Sequence, residues 1–105
     1  MLPLPGDIKQ KVRKPRESLI ERKVCRYARS KGLRADKWTS PGRRSVPDRI
    51  ILGPERLIFF IEFKRPGEKP TKLQEAEHAE LRKLGFSVFV IDNVEDGIAL
   101  IDKYA

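Results

Sequence analysis

Apolar and polar residues alternate with a helical period in three segments of this chain. The first segment begins near Glu17 or Ser18, because Ser18 and Glu21 have the S-x-x-E spacing of a capping box. Gly32 follows a basic residue and is a typical end for such a helix. The second segment follows Thr71, another good N-cap residue. The predicted helices span about residues 17–31, 72–84 and 94–103.

Four shorter segments are rich in β-branched and aromatic residues and lie between turns that contain glycine or proline. The third is the most hydrophobic part of the chain, and its length favours a strand over a buried helix. The first is weaker in strand character. These strands are predicted at about residues 34–39, 48–52, 57–64 and 86–91. The resulting order, α-β-β-β-α-β-α, indicates an α/β domain.

The charge balance narrows the class of binding partner. Among 105 residues the chain has 23 Lys and Arg against 15 Asp and Glu, a formal net charge of +8. Such an excess favours a polyanion, most often nucleic acid. The first 16 residues are basic and have no apolar period, so they are predicted to be a flexible basic arm or, equally, a tail without contacts. A single domain of residues 17–105 follows.

The composition also excludes several classes of protein. The one cysteine, Cys25, excludes an internal disulfide framework and a structural cysteine-based zinc site, and it is predicted to be a small core residue. No apolar run approaches the roughly 20 residues of a membrane-spanning helix. No signal peptide is visible. We therefore expect a small basic protein of the cytoplasm.

Three ionisable residues lie at one end of the second and third strands. The short turn between these strands predicts an antiparallel hairpin, so the start of one strand lies beside the end of the other. Strand alternation places Glu62 and Lys64 on one face. With Leu52 opposite Leu57, Asp48 falls one position short of Glu62, and a register shift of one residue or a bulge would bring it level. Asp48, Glu62 and Lys64 are therefore candidates for a shared site.

Two close carboxylates and a lysine suit the hydrolysis of a phosphodiester. The carboxylates repel each other unless a cation lies between them, and oxygen ligands of this kind suit Mg²⁺ or Mn²⁺. Such an ion activates water and offsets charge on the phosphate, and a lysine adds a positive donor. The alternative is a surface salt-bridge trio, which the apolar surroundings of Glu62 and Lys64 disfavour.

These residues also resemble a known nuclease motif. Pro47-Asp48 followed by Glu62-Phe63-Lys64 is similar to the PD-(D/E)xK motif. More narrowly, an ordered series over about residues 17–102 resembles the VRR-NUC family in its small standalone phage or bacterial form. The motifs of that series are Ser18-x-x-Glu21, Gly42 through Val46-Pro47-Asp48-Arg49, Glu62-Phe63-Lys64-Arg65-Pro66-Gly67, Gln74-x-x-x-His78 and Gly85-Phe86. This chain has Ser45 where many members have glycine.

The resemblance implies a fold, an activity and partners. The fold is a restriction-endonuclease-like PD-(D/E)xK core, a mixed central sheet flanked by helices. The activity is metal-dependent cleavage of DNA with Mg²⁺ or Mn²⁺. The small members are similar to Holliday-junction resolvases in acting as homodimers. We therefore expect a structure-selective endonuclease that acts as a homodimer on branched DNA such as Holliday junctions.

The resemblance also assigns metal-binding roles by position. Asp48 and Glu62 match the metal-binding acids, and the backbone carbonyl of Phe63 would be a further ligand. Glu21 matches the acid of the first helix, which would reach the metal directly or through water. Glu17 lies one helical turn earlier and is the competing choice.

Further matched positions concern catalysis and DNA binding. Lys64 matches the catalytic lysine. Gln74 matches a glutamine expected near the attacking water or the phosphate, although a capping box with Thr71 explains it as well. His78, on the same helical face, is expected at the surface or partly buried. Five cations near the site are candidates for phosphate contacts, unless they are simply solvated: Arg43, Arg44, Arg65, Lys69 and Lys72.

Two other functions compete with a metal-dependent nuclease. A non-catalytic basic DNA-binding module would have the same net charge, but it has no need of acids inside its positive surface. A sequence-specific restriction enzyme would need a separate target-recognition domain, for which 105 residues leave no room.

Overall fold

The computed structural model describes residues 16–105, and its helices and strands follow the predicted order. The predicted basic arm therefore lies, apart from Arg16, outside the described residues. The α/β fold class is confirmed. The elements are α1 (Glu17–Ser30), β1 (Arg34–Lys37), β2 (Arg49–Gly53), β3 (Leu57–Phe63), α2 (Lys72–Lys83), β4 (Ser87–Ile91) and α3 (Val94–Tyr104).

The four strands form one mixed sheet in the order β1-β2-β3-β4. β2 is antiparallel to both of its neighbours, β1 and β3. The last strand is parallel to β3, and the connection between them contains α2. A parallel pair needs such a crossover, whereas a tight turn is enough for the antiparallel hairpin. β3 is therefore an internal strand, paired on both edges.

The register of the β2–β3 hairpin differs by one residue from the pairing of Leu52 with Leu57. Gly53 lies opposite Leu57, and Arg49 opposite Ile61. The turn holds three residues, two of which have a positive φ (56° for Glu55 and 64° for Arg56), so Gly53 is the last paired residue of β2. Continuing this register by one step places Asp48 level with Glu62.

The main hydrophobic core lies between the sheet and the pair of helices α1 and α3. From β3 it receives Phe59, Ile61 and Phe63, which alternate onto that face of the sheet. Gly97 of α3 lets the two helices approach closely, because a Cβ there would lie 2.3 Å from a methyl carbon of Val24. Further members are Ile20, Cys25, Ala28, Leu33, Ala35, Ile51, Ile91, Leu100 and Ile101, so Cys25 is a core residue as predicted.

A smaller apolar cluster lies on the opposite face, under α2. Phe60 of β3 packs there against Leu81 and Val88. The Trp38 ring covers Phe60, with 5.0 Å between the ring centroids. The even-numbered residues of β3 therefore face α2, and Glu62 lies on this side of the sheet.

The two predicted capping boxes had different outcomes. At α2, the Thr71 hydroxyl accepts from the Gln74 N–H at 3.2 Å and the Gln74 side chain accepts from the Thr71 N–H at 2.9 Å, so this box is confirmed. The box predicted at Ser18 is wrong. α1 is preceded by Arg16 in extended conformation, without a side-chain cap. Ser18 is already inside the first turn, where its backbone is helical and cannot serve as a cap.

Within the described residues, no helix is both long and apolar enough to cross a membrane.

Candidate functional site

Asp48 and Glu62 meet at the end of the β2–β3 hairpin. The Phe63 N–H donates to Asp48 Oδ2 at 2.7 Å, which fixes the carboxylate across the hairpin. The Asp48 carbonyl accepts from the Trp38 N–H at 3.1 Å and extends the ladder towards β1. Glu62 is only 2 % exposed. One acid is therefore held by the neighbouring strand, and the other is enclosed beneath α2.

A third carboxylate comes from the first turn of α1. One oxygen each of Glu17, Asp48 and Glu62 lie within 4.8 Å of one another. This spacing suits carboxylates that share one cation, and oxygen ligands suit hard divalent ions. The donor set therefore fits Mg²⁺ or Mn²⁺.

Glu21, the other acid of α1, lies in an ion pair. Its Oε2 accepts from Arg49 Nε at 2.6 Å, and both side chains are largely buried. Arg49 also donates to the Ala35 carbonyl at 2.9 Å. The close cluster of three carboxylates includes Glu17 and does not include Glu21. The sequence signal for this pairing was Arg49 itself, a cation at the start of an otherwise apolar strand.

Lys64 directly follows β3 and is 9 % exposed. Its N–H donates to the Ile91 carbonyl at 2.9 Å, which continues the parallel pairing with β4 past the end of the strand. Its charge acts to lower the pKa of Glu17, Asp48 and Glu62 alike. The ammonium group therefore belongs to the same electrostatic site as the three acids.

The single positive charge of Lys64 nevertheless does not balance the three carboxylates. Burial, followed by the neighbouring Asp48, raises the pKa of Glu62 to about 8. Burial also raises the pKa of Asp48, and the Phe63 N–H opposes that rise. Burial and then Asp48 raise the pKa of Glu17. Lys64 does not outweigh these effects, so a divalent cation would stabilise the ionised form of all three groups.

Comparison with known proteins places this chain in a family. No family model matches the chain. A protein of Acyrthosiphon pisum secondary endosymbiont phage 1, named "Putative nuclease p44", is 49% identical over 78 residues, which are 74% of this chain and 84% of that protein. A solved VRR-NUC domain superposes with a TM-score of 0.78 at 29% identity, covering 85% of this chain and 97% of that one. The chain belongs to the VRR-NUC family. A second solved VRR-NUC domain protein, at 17% identity and a TM-score of 0.69, covers 88% of this chain and 89% of its own and shares the fold.

In this VRR-NUC chain, Gln74 both caps α2 and contacts the site. Its Oε1 accepts from the Thr71 N–H, and its Nε2 donates to Glu62 Oε2 at 3.2 Å. The capping box and the contact with the site coexist in one conformation. The capping hydrogen bond orients the amide so that its NH₂ group points to Glu62.

The expectation for His78 was wrong. The side chain is buried rather than at the surface, with 1 % of the residue exposed. Its Nε2 lies 3.6 Å from Glu62 Oε1. Burial, followed by the positive charge of Arg82, lowers the pKa of the imidazole. The four-residue spacing from Gln74 correctly indicated that both side chains lie on one face of α2. It did not indicate that this face packs on the sheet and buries the ring.

The predicted phosphate-binding cations of the VRR-NUC domain differ in whether acidic side chains already pair with them. Arg43 donates to Glu77 at 2.8 Å and to Glu80 at 2.6 Å, so acids of α2 already hold its guanidinium. Arg65 lies 4.0 Å from Glu68, a loose and exposed pair. The other three predicted phosphate contacts, Arg44, Lys69 and Lys72, have exposed side chains.

Proposed function

We propose that this VRR-NUC protein is a DNA nuclease that hydrolyses phosphodiester bonds with Mg²⁺ or Mn²⁺. The observation that carries the proposal is the convergence of Glu17, Asp48 and Glu62 beside Lys64 at one end of the sheet. Family membership and the name of the phage relative support nuclease activity. A module that only binds DNA has no need of three buried or half-buried acids, which repel phosphate.

In this proposal Asp48 and Glu62 hold the ion, with the Phe63 carbonyl as a further ligand implied by the family pattern. Glu17 takes the role of the helical acid, because it joins the cluster while Glu21 is paired with Arg49. A bound divalent ion would neutralise charge and lower the pKa of a water molecule. Glu21 then has a supporting role, since it keeps Arg49 beside the acids without an unpaired charge.

Lys64 and Gln74 complete the proposed chemistry. Lys64 is only 9 % exposed, so water screens its interaction with a developing negative charge on phosphate less than at an open surface. It would also orient the attacking water. Gln74 contacts Glu62 through its NH₂ group and so lies beside the same reaction centre.

In this proposal, exposed cations around the site bind the DNA backbone. Arg44, Arg65, Lys69 and Lys72 would contact phosphates, which position a duplex without reading its sequence. Arg43 is last among these candidates, because it must leave Glu77 and Glu80 before it can bind DNA.

Two finer parts of the proposal concern assembly and DNA structure. We propose a homodimer that acts on branched DNA such as a Holliday junction, because a twofold pair of sites suits paired incisions in two strands. Sedimentation at micromolar protein tests the dimer, and a monomer would contradict it. Cleavage of linear duplex, flap, single strand and four-way junction at one salt concentration tests the preference. Equal rates on all four DNAs would contradict it.

The main experiment measures cleavage with and without metal for variants of the site. With Mg²⁺ or Mn²⁺ the unmodified protein should cut DNA, and a chelator should stop it. Lys64→Ala should lose about a hundredfold to a thousandfold in rate, the cost of removing one charge-stabilising donor. Asp48→Asn should lose at least as much. Lys83→Ala and Glu95→Gln, exposed residues elsewhere, are the matched controls.

The same experiment separates the two competing functions. Circular dichroism should show that all variants are folded. Normal cutting by both Asp48→Asn and Lys64→Ala would overturn the proposal. DNA binding without cutting under any metal would favour the non-catalytic module instead.

A further inference from the structure

Two buried polar atoms between α2 and β3 have no hydrogen-bond partner among the described residues. They are Nε2 of His78 and Oε1 of Glu62. Buried polar groups are nearly always satisfied, so an orphaned pair at one place needs an explanation. The two atoms are 3.6 Å apart, slightly too far for a hydrogen bond. A small movement of either side chain would therefore satisfy both.

The second oxygen of the same carboxylate is already held from α2. Gln74 Nε2 donates to Glu62 Oε2 at 3.2 Å. Gln74 and His78 are one helical turn apart and lie on the same face of α2. The helix therefore presents one nitrogen to each oxygen of Glu62. Because each carboxylate oxygen has two lone pairs, these contacts leave lone pairs free for a cation on the other side.

The imidazole is well placed to act as a fixed donor. The ring is buried. Its position is fixed by α2, whose first turn the Thr71 capping box stabilises. An Nε2–H donor exists both in the charged ring and in one of the two neutral tautomers. Hydrogen bonds to an ionised carboxylate are shorter and stronger than those to a neutral one. The contact should therefore be closest when the Glu62 carboxylate holds a cation.

We propose that His78 is a positioning residue that donates from Nε2 to Glu62 Oε1 and, with Gln74, orients the Glu62 carboxylate for a divalent cation. This inference rests on the proposed role of Glu62 as a metal ligand. It assigns His78 no contact with DNA. Groups that orient a metal ligand typically change metal affinity by about 10- to 100-fold when they are removed.

The test is calorimetric titration of the protein with Mn²⁺ in the absence of DNA. His78→Leu should weaken Mn²⁺ binding by about 10- to 100-fold, whereas His78→Gln, which keeps a side-chain N–H donor, should bind within a few-fold of the unmodified protein. His78→Met is a second apolar variant, should the leucine variant fail to fold. Leu81→Met controls for a change in the packing under α2.

The outcomes separate this inference from the proposed function. If the unmodified protein and Asp48→Asn bind Mn²⁺ alike, the metal site itself is wrong. If Asp48→Asn loses binding while a folded His78→Leu or His78→Met binds normally, only the role of His78 is wrong. A His78→Gln variant as weak as the apolar variants would also overturn it, because a donor at this position would then not matter.

Discussion

At the scale of single residues, the two acids of α1 have opposite surroundings although they lie one turn apart. Glu17 shares a cluster with Asp48 and Glu62, in which its pKa is raised by burial and then by Asp48. Glu21 is neutralised by Arg49 at 2.6 Å. The helical spacing places both acids near the same end of the sheet, so the sequence could not decide between them. In the structure Arg49 pairs with Glu21 and leaves Glu17 in the carboxylate cluster, and the position of Arg49 depends on the strand register.

This difference predicts opposite phenotypes for two matched variants. Glu17→Gln should weaken Mn²⁺ binding and slow DNA cleavage, and it should slightly stabilise the metal-free protein because it removes a like charge. Glu21→Gln should leave Arg49 without its ionised partner and lower the free energy of unfolding by about 1–3 kcal/mol. Calorimetry with Mn²⁺ and chemical denaturation measure the two effects. If Glu21→Gln loses more metal affinity than Glu17→Gln, then Glu21 is the helical acid.

At the scale of the elements, the sequence predicted every helix and strand of the described residues, because the helices have a clear apolar period and turns with glycine or proline separate the strands. Two details could not be obtained this way. The hairpin register depends on Glu55 and Arg56 adopting left-handed backbone conformations, for which neither residue type is a signal. α1 begins at Glu17 as predicted, but the capping box that the spacing of Ser18 and Glu21 suggests does not form. Local motifs therefore identified the elements, and tertiary packing decided their relative alignment.

The exposed face of α1 is a further candidate surface for DNA binding. The helix turns its acids inward, whereas its exposed residues are Arg22, Lys23, Arg26, Arg29 and two serines. Among residues 16–105, Arg22 and Arg26 have no acidic partner, and they lie one turn apart on the exposed face of α1. With DNA as the proposed substrate, this row should bind the phosphate backbone.

Replacement of both Arg22 and Arg26 by alanine should therefore change the salt dependence of DNA binding. The slope of log affinity against log salt should become shallower by about 0.9 for each phosphate that the variant no longer neutralises. Fluorescence anisotropy in a chelator measures binding without cleavage, and Lys103→Ala on α3 is the control for a general loss of charge. An unchanged slope in the double variant would show that these cations are only solvated.

At the scale of the whole molecule, the net charge of +8 and the carboxylate cluster have opposite effects on the binding of phosphate. The basic surface attracts phosphate, and the buried acids repel it unless a cation is bound. The sequence predicted the pair Asp48 and Glu62 because both interrupt an apolar hairpin. It could not predict that α2 would enclose Glu62, since His78 and Gln74 reach it only through the crossover between β3 and β4. That enclosure is the reason for the raised pKa of Glu62.

The raised pKa makes the stability of the metal-free protein depend on pH. Glu62 keeps its proton in the folded state up to a pKa of about 8, but the unfolded chain releases it near the ordinary value of 4.5. Between these values the folded state holds the extra proton, so Glu62 makes the protein less stable as pH rises, by at most about 1.4 kcal/mol per pH unit. The stabilising contribution is complete below pH 4.5 and is lost as pH rises through about 8.

Glu62→Gln isolates this effect, because glutamine resembles the protonated side chain and does not titrate. In a chelator, the melting temperatures of the two proteins should be similar at pH 5, and at pH 8 the unmodified protein should melt lower by about 10 °C or more. A difference of 1 kcal/mol corresponds to about 4–8 °C for a domain of this size. Mn²⁺ should reverse the order at pH 8, since it binds the ionised carboxylate of the unmodified protein and not the amide. A constant difference from pH 5 to pH 8 would show that Glu62 does not carry the raised pKa.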